Sequence, residues 1–228
     1  MTAGPTREAI DPTRFISNPS TGRMGFALAA EALRRGAEVT LIAGPTPVPP
    51  PAGVNLVRVT TAEEMLTAAL NQAQGADLIL KSAAVADYTP EAPSRAKLKK
   101  DVLRRKALRE RTAGGAIVLR LRPTHDILEE IGRRKKPGQV LVGFAAETGD
   151  LEANALRKLR RKNLDLVVAN RIGREGEGFE AETNRALVID REGRKTDLPL
   201  MSKEAMAGAL LDLAERLLPP MAARATAR

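Results

Sequence analysis

The apolar residues of this chain change period again and again, and that alternation decides what it can fold into. Residues 24–35 put Met24, Ala27, Leu28, Ala30 and Leu33 on one helical stripe, with Gly36 as a stop. Residues 37–44 form a short β-branched run, which reads as a buried strand. A proline-rich loop at 46–54 excludes both helix and central strand, and a second strand is predicted at 54–60. Thr61 and Glu64 fit a capping box for a helix over 62–74. Residues 76–88 read as a strand running into a loop. A helix near 126–134 precedes a strand at 139–147, and a helix over 150–162 precedes another at 164–170. This β–α–β order predicts an α/β fold, a doubly wound and mostly parallel sheet with helices on both faces. In such sheets ligands bind at the carboxyl ends of the strands.

Several stretches depart from the alternation. Only MTAG precedes the first proline, so the first strand is either very short or entered part-way, with further natural sequence upstream. Residues 3–25 read as a long irregular connection to the first helix, a length that points to function. Residues 91–124 are rich in lysine and arginine and read as an excursion: a basic flap, then a strand at 117–122 free to pair elsewhere, across a dimer axis for instance. Residues 179–200 carry two alternating runs about an Arg-Glu-Gly turn, which predicts a β-hairpin at the end of the sheet. A last helix is expected over about 202–217. One domain over 1–218 is predicted, with a frayed tail at 219–228.

Composition removes several function classes. The 228 residues include no Cys, so disulfides, thiolate metal sites and Cys nucleophiles are out. A single His removes a His-rich metal centre and leaves no Ser-His-Asp set to assemble. No apolar run reaches the roughly 18 residues of a membrane span, and no signal pattern opens the chain, so a soluble cytoplasmic protein without a membrane partner is expected. The net charge of +9 raises nucleic-acid binding. The motifs for it are missing, as is an aromatic series for base stacking, so no nucleic-acid partner is expected. An NAD(P)-binding oxidoreductase is the alternative for this architecture. It is disfavoured because G-x-G-x-x-G is absent and no acidic ribose-binding residue follows the second strand.

The residues with chemistry gather in a few segments. Ser20-Thr21-Gly22-Arg23 places small residues and a cation at a helix N-terminus, which favours an anion; the plainer alternative is a Ser/Thr helix cap. Ala83-Ala84-Val85-Ala86-Asp87 ends a strand with small residues and a carboxylate suited to a ribose hydroxyl or a metal ion. Phe144 lies at another strand end and can stack on a ring. Lys158 and Lys162 share a helix face and fit a polyphosphate, or else complement their own helix dipole. His125 stands at a helix start, as suited to a capping neighbourhood as to acid–base work.

Taken together, AGPTRE, DPTRFISNPSTGRMGFALA, AAVADY, KLKK, LVGFAAET and KNLDLVVAN resemble the phosphopantothenate–cysteine ligases, the ligase half of a bacterial bifunctional coenzyme A biosynthesis protein. The resemblance runs from about residue 2 to 217. It implies a Rossmann-like fold, a homodimer, and a CTP- and Mg²⁺-dependent reaction. In that reaction 4′-phosphopantothenate is activated as an acyl-cytidylate and captured by L-cysteine. It also implies an upstream flavin-dependent decarboxylase domain. By the same resemblance Asn18 handles the acyl-nucleotide and Lys97 serves the second half-reaction. Arg14, Ser20, Thr21, Gly22 and Arg23 bind substrate. Ala83, Ala84, Asp87, Phe144, Lys158 and Lys162 contact the nucleotide, as does the stretch Arg122, Pro123, Thr124, His125. Asp87 is the implied metal ligand.

Overall fold

The computed structural model describes residues 1–99, 118–147, 149–171 and 181–220. Most of the basic flap, and the tail from 221 onward, therefore lie outside the described residues. An eight-stranded sheet runs in the order β12-β11-β10-β9-β6-β1-β4-β5. The strands are β1 (Thr2–Ala3), β4 (Thr40–Ala43), β5 (Asn55–Arg58), β6 (Leu78–Lys81), β9 (Val140–Glu147), β10 (Leu166–Arg171), β11 (Thr183–Asp190) and β12 (Lys195–Ser202). From β5 to β10 every neighbouring pair is parallel, and β11 and β12 close that edge as the expected antiparallel hairpin. The first strand is two residues long and sits in mid-sheet. It survives there because β4 and β6 flank it on both sides.

The helices are α1 (Arg23–Arg34), α2 (Ala62–Ala73), α3 (Ile127–Arg134), α4 (Leu151–Arg161) and α5 (Lys203–Glu215). Successive strand residues serve opposite faces, as the pleat requires. Leu80, Val140, Val142 and Val168 pack with α1 and α5 through Phe26, Leu28, Met206 and Leu210. Ile79, Leu141 and Val167 pack with α2, α3 and α4 through Met65, Ile127, Ile131 and Leu159. With apolar side chains buried on both faces, the strands read as continuous apolar runs rather than alternating ones. The Thr61–Glu64 capping box forms as expected, each side chain serving the other residue's backbone amide. Such a cap contributes about 1 kcal/mol to the helix it opens.

Two findings differ from the sequence reading. The connection between β1 and α1 is not irregular. It folds into the antiparallel hairpin of β2 (Arg7–Asp11) and β3 (Arg14–Ser17). Its residues have too little apolar alternation to announce a strand, because their order comes from long-range partners. Glu8 is buried and accepts from the Ala62 amide at 2.8 Å, and Asp11 binds the turn. The second difference concerns the strand expected at 117–122. In the described part, β8 (Leu121–Pro123) pairs within the chain, antiparallel to β7 (Tyr88–Pro90).

Candidate active site

Moving outward from β1, the chain goes first to β4 and β5 and then back past β1 to β6, β9 and β10. The crevice beyond the carboxyl ends of β1 and β6 lies at that reversal. A cavity of about 890 Å³ occupies it. Its walls are the segment before α1, the segment after β6, the ends of β9 and β10, the start of α3 and the last turn of α4.

The α1 wall is an uncapped helix N-terminus. Gly22 is the N-cap, with φ at 78°, and no side chain caps the helix. A Ser/Thr cap is thereby ruled out, and the first helical amides at Arg23, Met24 and Gly25 line the cavity. Unpaired amides at the positive end of a helix dipole favour a negative group. Gly25 lets the helix start this close. A Cβ there would meet the Ala3 Cβ at 2.5 Å and the Ser82 Oγ at 2.6 Å.

Asn18 crosses from this wall to the next. Its Nδ2 donates to the carbonyls of Ala84 at 3.2 Å and Val85 at 2.9 Å. Only an NH2 group can serve two carbonyls, so the amide's orientation is fixed and Oδ1 is the atom offered to a ligand.

The opposite wall is cationic. Lys158 donates to the Phe144 carbonyl at 2.6 Å, and Lys162 pairs with Asp126. Asp126 also caps α3, accepting from the Glu129 amide at 3.0 Å. Burial pushes its carboxyl up, but Lys162 and that amide hold it below the usual carboxylate range. Burial, and then the charge of Lys162, push the Lys158 ammonium down. Lys81, at the end of β6, donates to the Ala83 carbonyl at 3.0 Å. Burial, with the charge of Lys158 second, pushes its ammonium down to about 8.

The cavity brings together Asn18, Ser20, Gly22, Arg23, Ala83, Ala84, Asp87, Pro123, Thr124, His125, Phe144, Lys158 and Lys162. Thr21, Arg14, Arg122 and Lys97 are not among its lining residues. Thr21 accepts the Thr46 hydroxyl on its carbonyl, and Arg122 lies exposed on β8. Lys97 lies in a segment pinned to the β2–β3 hairpin, where the Ser94 amide binds the Ile10 carbonyl and the Leu98 amide binds Asp11. Arg14 joins the same cluster through Asp11 and the Leu98 carbonyl, both at 3.1 Å. Sequence reasoning missed Lys81, Asp126 and Lys203. The signal for Lys81 was a lysine ending an otherwise apolar strand, which a strand buried on both faces does not carry without a reason.

Among the described residues no group of three His, Cys, Asp or Glu gathers to hold a metal ion, and no helix is long and apolar enough to cross a membrane. Asp87 stands at the cavity, where a single carboxylate suits an ion that arrives on phosphates.

The family described as the DNA/pantothenate metabolism flavoprotein C-terminal domain matches residues 1–217. The coenzyme A biosynthesis bifunctional protein CoaBC of Bacillus subtilis (strain 168) is 47% identical over 204 residues, which cover 89% of this chain and 47% of that protein. The chain spans about half the length of the curated relatives it matches. Among solved structures, the C-terminal domain of a coenzyme A biosynthesis bifunctional protein CoaBC aligns with TM-score 0.76 and 38% identity. That alignment covers 95% of this chain and 92% of the other. A Cab2 variant in complex with phosphopantothenate-cysteine shares the fold with TM-score 0.73, at 17% identity, over 95% of this chain and 85% of its own.

Proposed function

The chain belongs to the family of the DNA/pantothenate metabolism flavoprotein C-terminal domain, and from that premise we propose that it ligates 4′-phosphopantothenate to L-cysteine with CTP. The observation that carries the reading is one cavity at the sheet's reversal with an uncapped helix N-terminus on one wall and a lysine cluster on another. A triphosphate and a phosphorylated acid are polyanions of the kind such walls select.

The first step forms a bond from the pantothenate carboxylate oxygen to the α-phosphorus of CTP and breaks the bond to the β-phosphate, releasing pyrophosphate. The second forms a bond from the cysteine nitrogen to the acyl carbon, breaks the bond to CMP, and loses a proton from nitrogen. Lys158 and Lys162 neutralise charge that builds on the phosphates, and the α1 amides with Arg23 hold the anion opposite. Asn18 Oδ1 accepts from the amine that attacks the mixed anhydride. Phe144 and the Ala83–Ala84 backbone border the base. Asp87 would hold a Mg²⁺ brought in by the phosphates, and that ion would supply Lewis-acid charge.

Arg14 lies on the β2–β3 hairpin and Lys97 in the segment pinned to it, both outside the lining of this cavity. We place them in the reaction through a homodimer, in which the hairpin of one copy faces the cavity of the other. Exposed Phe15, Tyr88, Val118, Leu119 and Leu121 give that face the apolar surface a second copy would cover. The relatives are named bifunctional and are about twice as long as the matched region, which supports a second domain in the whole protein; we take it to be an upstream flavin-dependent decarboxylase and the setting to be cytoplasmic.

Pyrophosphate release with CTP or ATP in turn, first without cysteine and then with it, tests the reading. Release with CTP, Mg²⁺ and phosphopantothenate before cysteine is added, followed by CMP and product after it, is the expected result. Background release with both nucleotides and all substrates present overturns it.

A further inference from the structure

Four lysines line the cavity; Lys81, Lys158 and Lys162 stand at the ends of β6 and α4, and of these three only one has a carboxylate partner. Lys162 pairs with Asp126. Among the described residues Lys81 and Lys158 make no ion pair, and each ammonium donates to a backbone carbonyl, of Ala83 and of Phe144. Both lysines are half-buried, and holding an ammonium partly out of water without a counter-charge carries a cost; two such ammoniums in one cavity suit an anion that arrives from outside. The pleat explains how Lys81 gets there. It follows Ile79 on the face of β6 that packs under α2, α3 and α4, so its side chain emerges beside the last turn of α4. Its β9 neighbour in the register is Gly143, where a Cβ would meet the Leu128 and Leu164 side chains at 2.7 Å, so α3 closes over this end of the sheet beside Lys81.

We infer that Lys81 is a third cation of the polyphosphate site, rising from the cavity floor to bind the same phosphates as Lys158 and Lys162. This deepens the nucleotide reading and rests on it for the identity of the polyphosphate. The charged groups around Lys81 are Lys158 and Lys162 on α4, Asp126 at the start of α3 and Asp87 after β6; Arg161 and His125 also line the cavity, and Glu147 acts on Lys158. The cations near Lys81 push its proton off and the two aspartates hold it on. Burial and Lys158 prevail, leaving the group titrating near 8. A bound polyanion reverses that balance and holds the proton on. Affinity contributed by Lys81 is therefore present below pH 8 and fades as the pH rises beyond it.

The test is calorimetric binding of inorganic tripolyphosphate to the whole chain and to Lys81→Met, from pH 7 to pH 10. Taking the ratio of the two affinities at each pH cancels the ligand's own ionisation. The expected ratio is about tenfold at pH 7, in line with a charge-assisted hydrogen bond, shrinking toward one by pH 10. A ratio of one at pH 7, a loss that does not change with pH, or failure of the unaltered chain to bind tripolyphosphate overturns the inference. Should Lys81→Met not fold, Lys81→Gln takes its place in the same series. Tripolyphosphate binding that depends on Lys81, in a protein that releases no pyrophosphate from CTP, leaves the inference standing and removes the ligase reading. An active ligase with a flat ratio does the opposite.

Discussion

Asn18 shows how much one side chain is asked to do. Its NH2 is committed to two carbonyls on the far wall, so it ties the segment before α1 to the end of β6 and leaves Oδ1 as the amide's acceptor in a residue that lines the cavity. Asn18→Asp sets an acceptor against two acceptors. The expected cost is about 1–3 kcal/mol, a fall in Tm of roughly 2–10 °C by thermal denaturation. The altered chain should still release pyrophosphate and then stall before product, and a variant that makes product at the unaltered rate excludes the role given to Asn18. At Gly25 the demand is for no side chain at all. Gly25→Ala pushes α1 away from Ala3 and Ser82 and should cost about 1–3 kcal/mol in denaturant titration, with pyrophosphate release falling more steeply because the helix amides move with it. Retained activity with lowered stability would mean those amides hold no phosphate. The small and hydroxyl residues before α1 were legible from sequence as a turn into a helix N-terminus, but Lys81 was not. Its meaning depends on which face of β6 it takes and on α4 arriving from far along the chain.

At the scale of elements, what was legible followed local rules. The alternation of periods, the Thr61–Glu64 box and the Arg-Glu-Gly hairpin turn are written in neighbouring residues, and all three stand in the structure. The β2–β3 hairpin was not legible, because distant groups order it. Asp11 is its keystone. Burial pushes its carboxyl up, but the amides of Thr13, Leu98 and Arg14 and the Thr13 hydroxyl outweigh burial and hold it down to about 2, against an ordinary 3.8. A carboxyl lowered on folding stabilises the fold fully above its ordinary value and gives that up as the pH drops through the folded one. The hairpin and the 94–98 segment should therefore part between about pH 4 and pH 2, ahead of the sheet. Amide exchange or limited proteolysis at 94–99 over that range would show it. Asp11→Asn should open the same segment at neutral pH, and equal protection in both proteins at both pH values would rule Asp11 out as the tie.

For the molecule as a whole, sequence carried the doubly wound order with its edge hairpin, because parallel steps need crossovers, and these were legible as helices between strands and, from β4 to β5, as the proline-rich loop. It did not show that Arg14 and Lys97 would stand apart from the cavity that holds the other lining residues. That separation argues for a second copy. β2 packs beside β7, so the two hairpins form one surface, and Phe15, Tyr88 and Leu121 leave apolar side chains exposed on it. An apolar surface beside Arg14 on β3 and the pinned segment that holds Lys97 is what a shared active site requires of a symmetric pair. At micromolar concentration the chain should run in light scattering at twice its 24.5 kDa mass. Leu121→Glu, or Phe15→Glu, should shift it to the single-chain mass and lower ligase activity at least tenfold while leaving tripolyphosphate binding in the cavity intact, since the lysine wall belongs to one chain. A monomeric yet fully active variant would show that one chain completes its own site, and Arg14 and Lys97 would then have to reach the cavity within it.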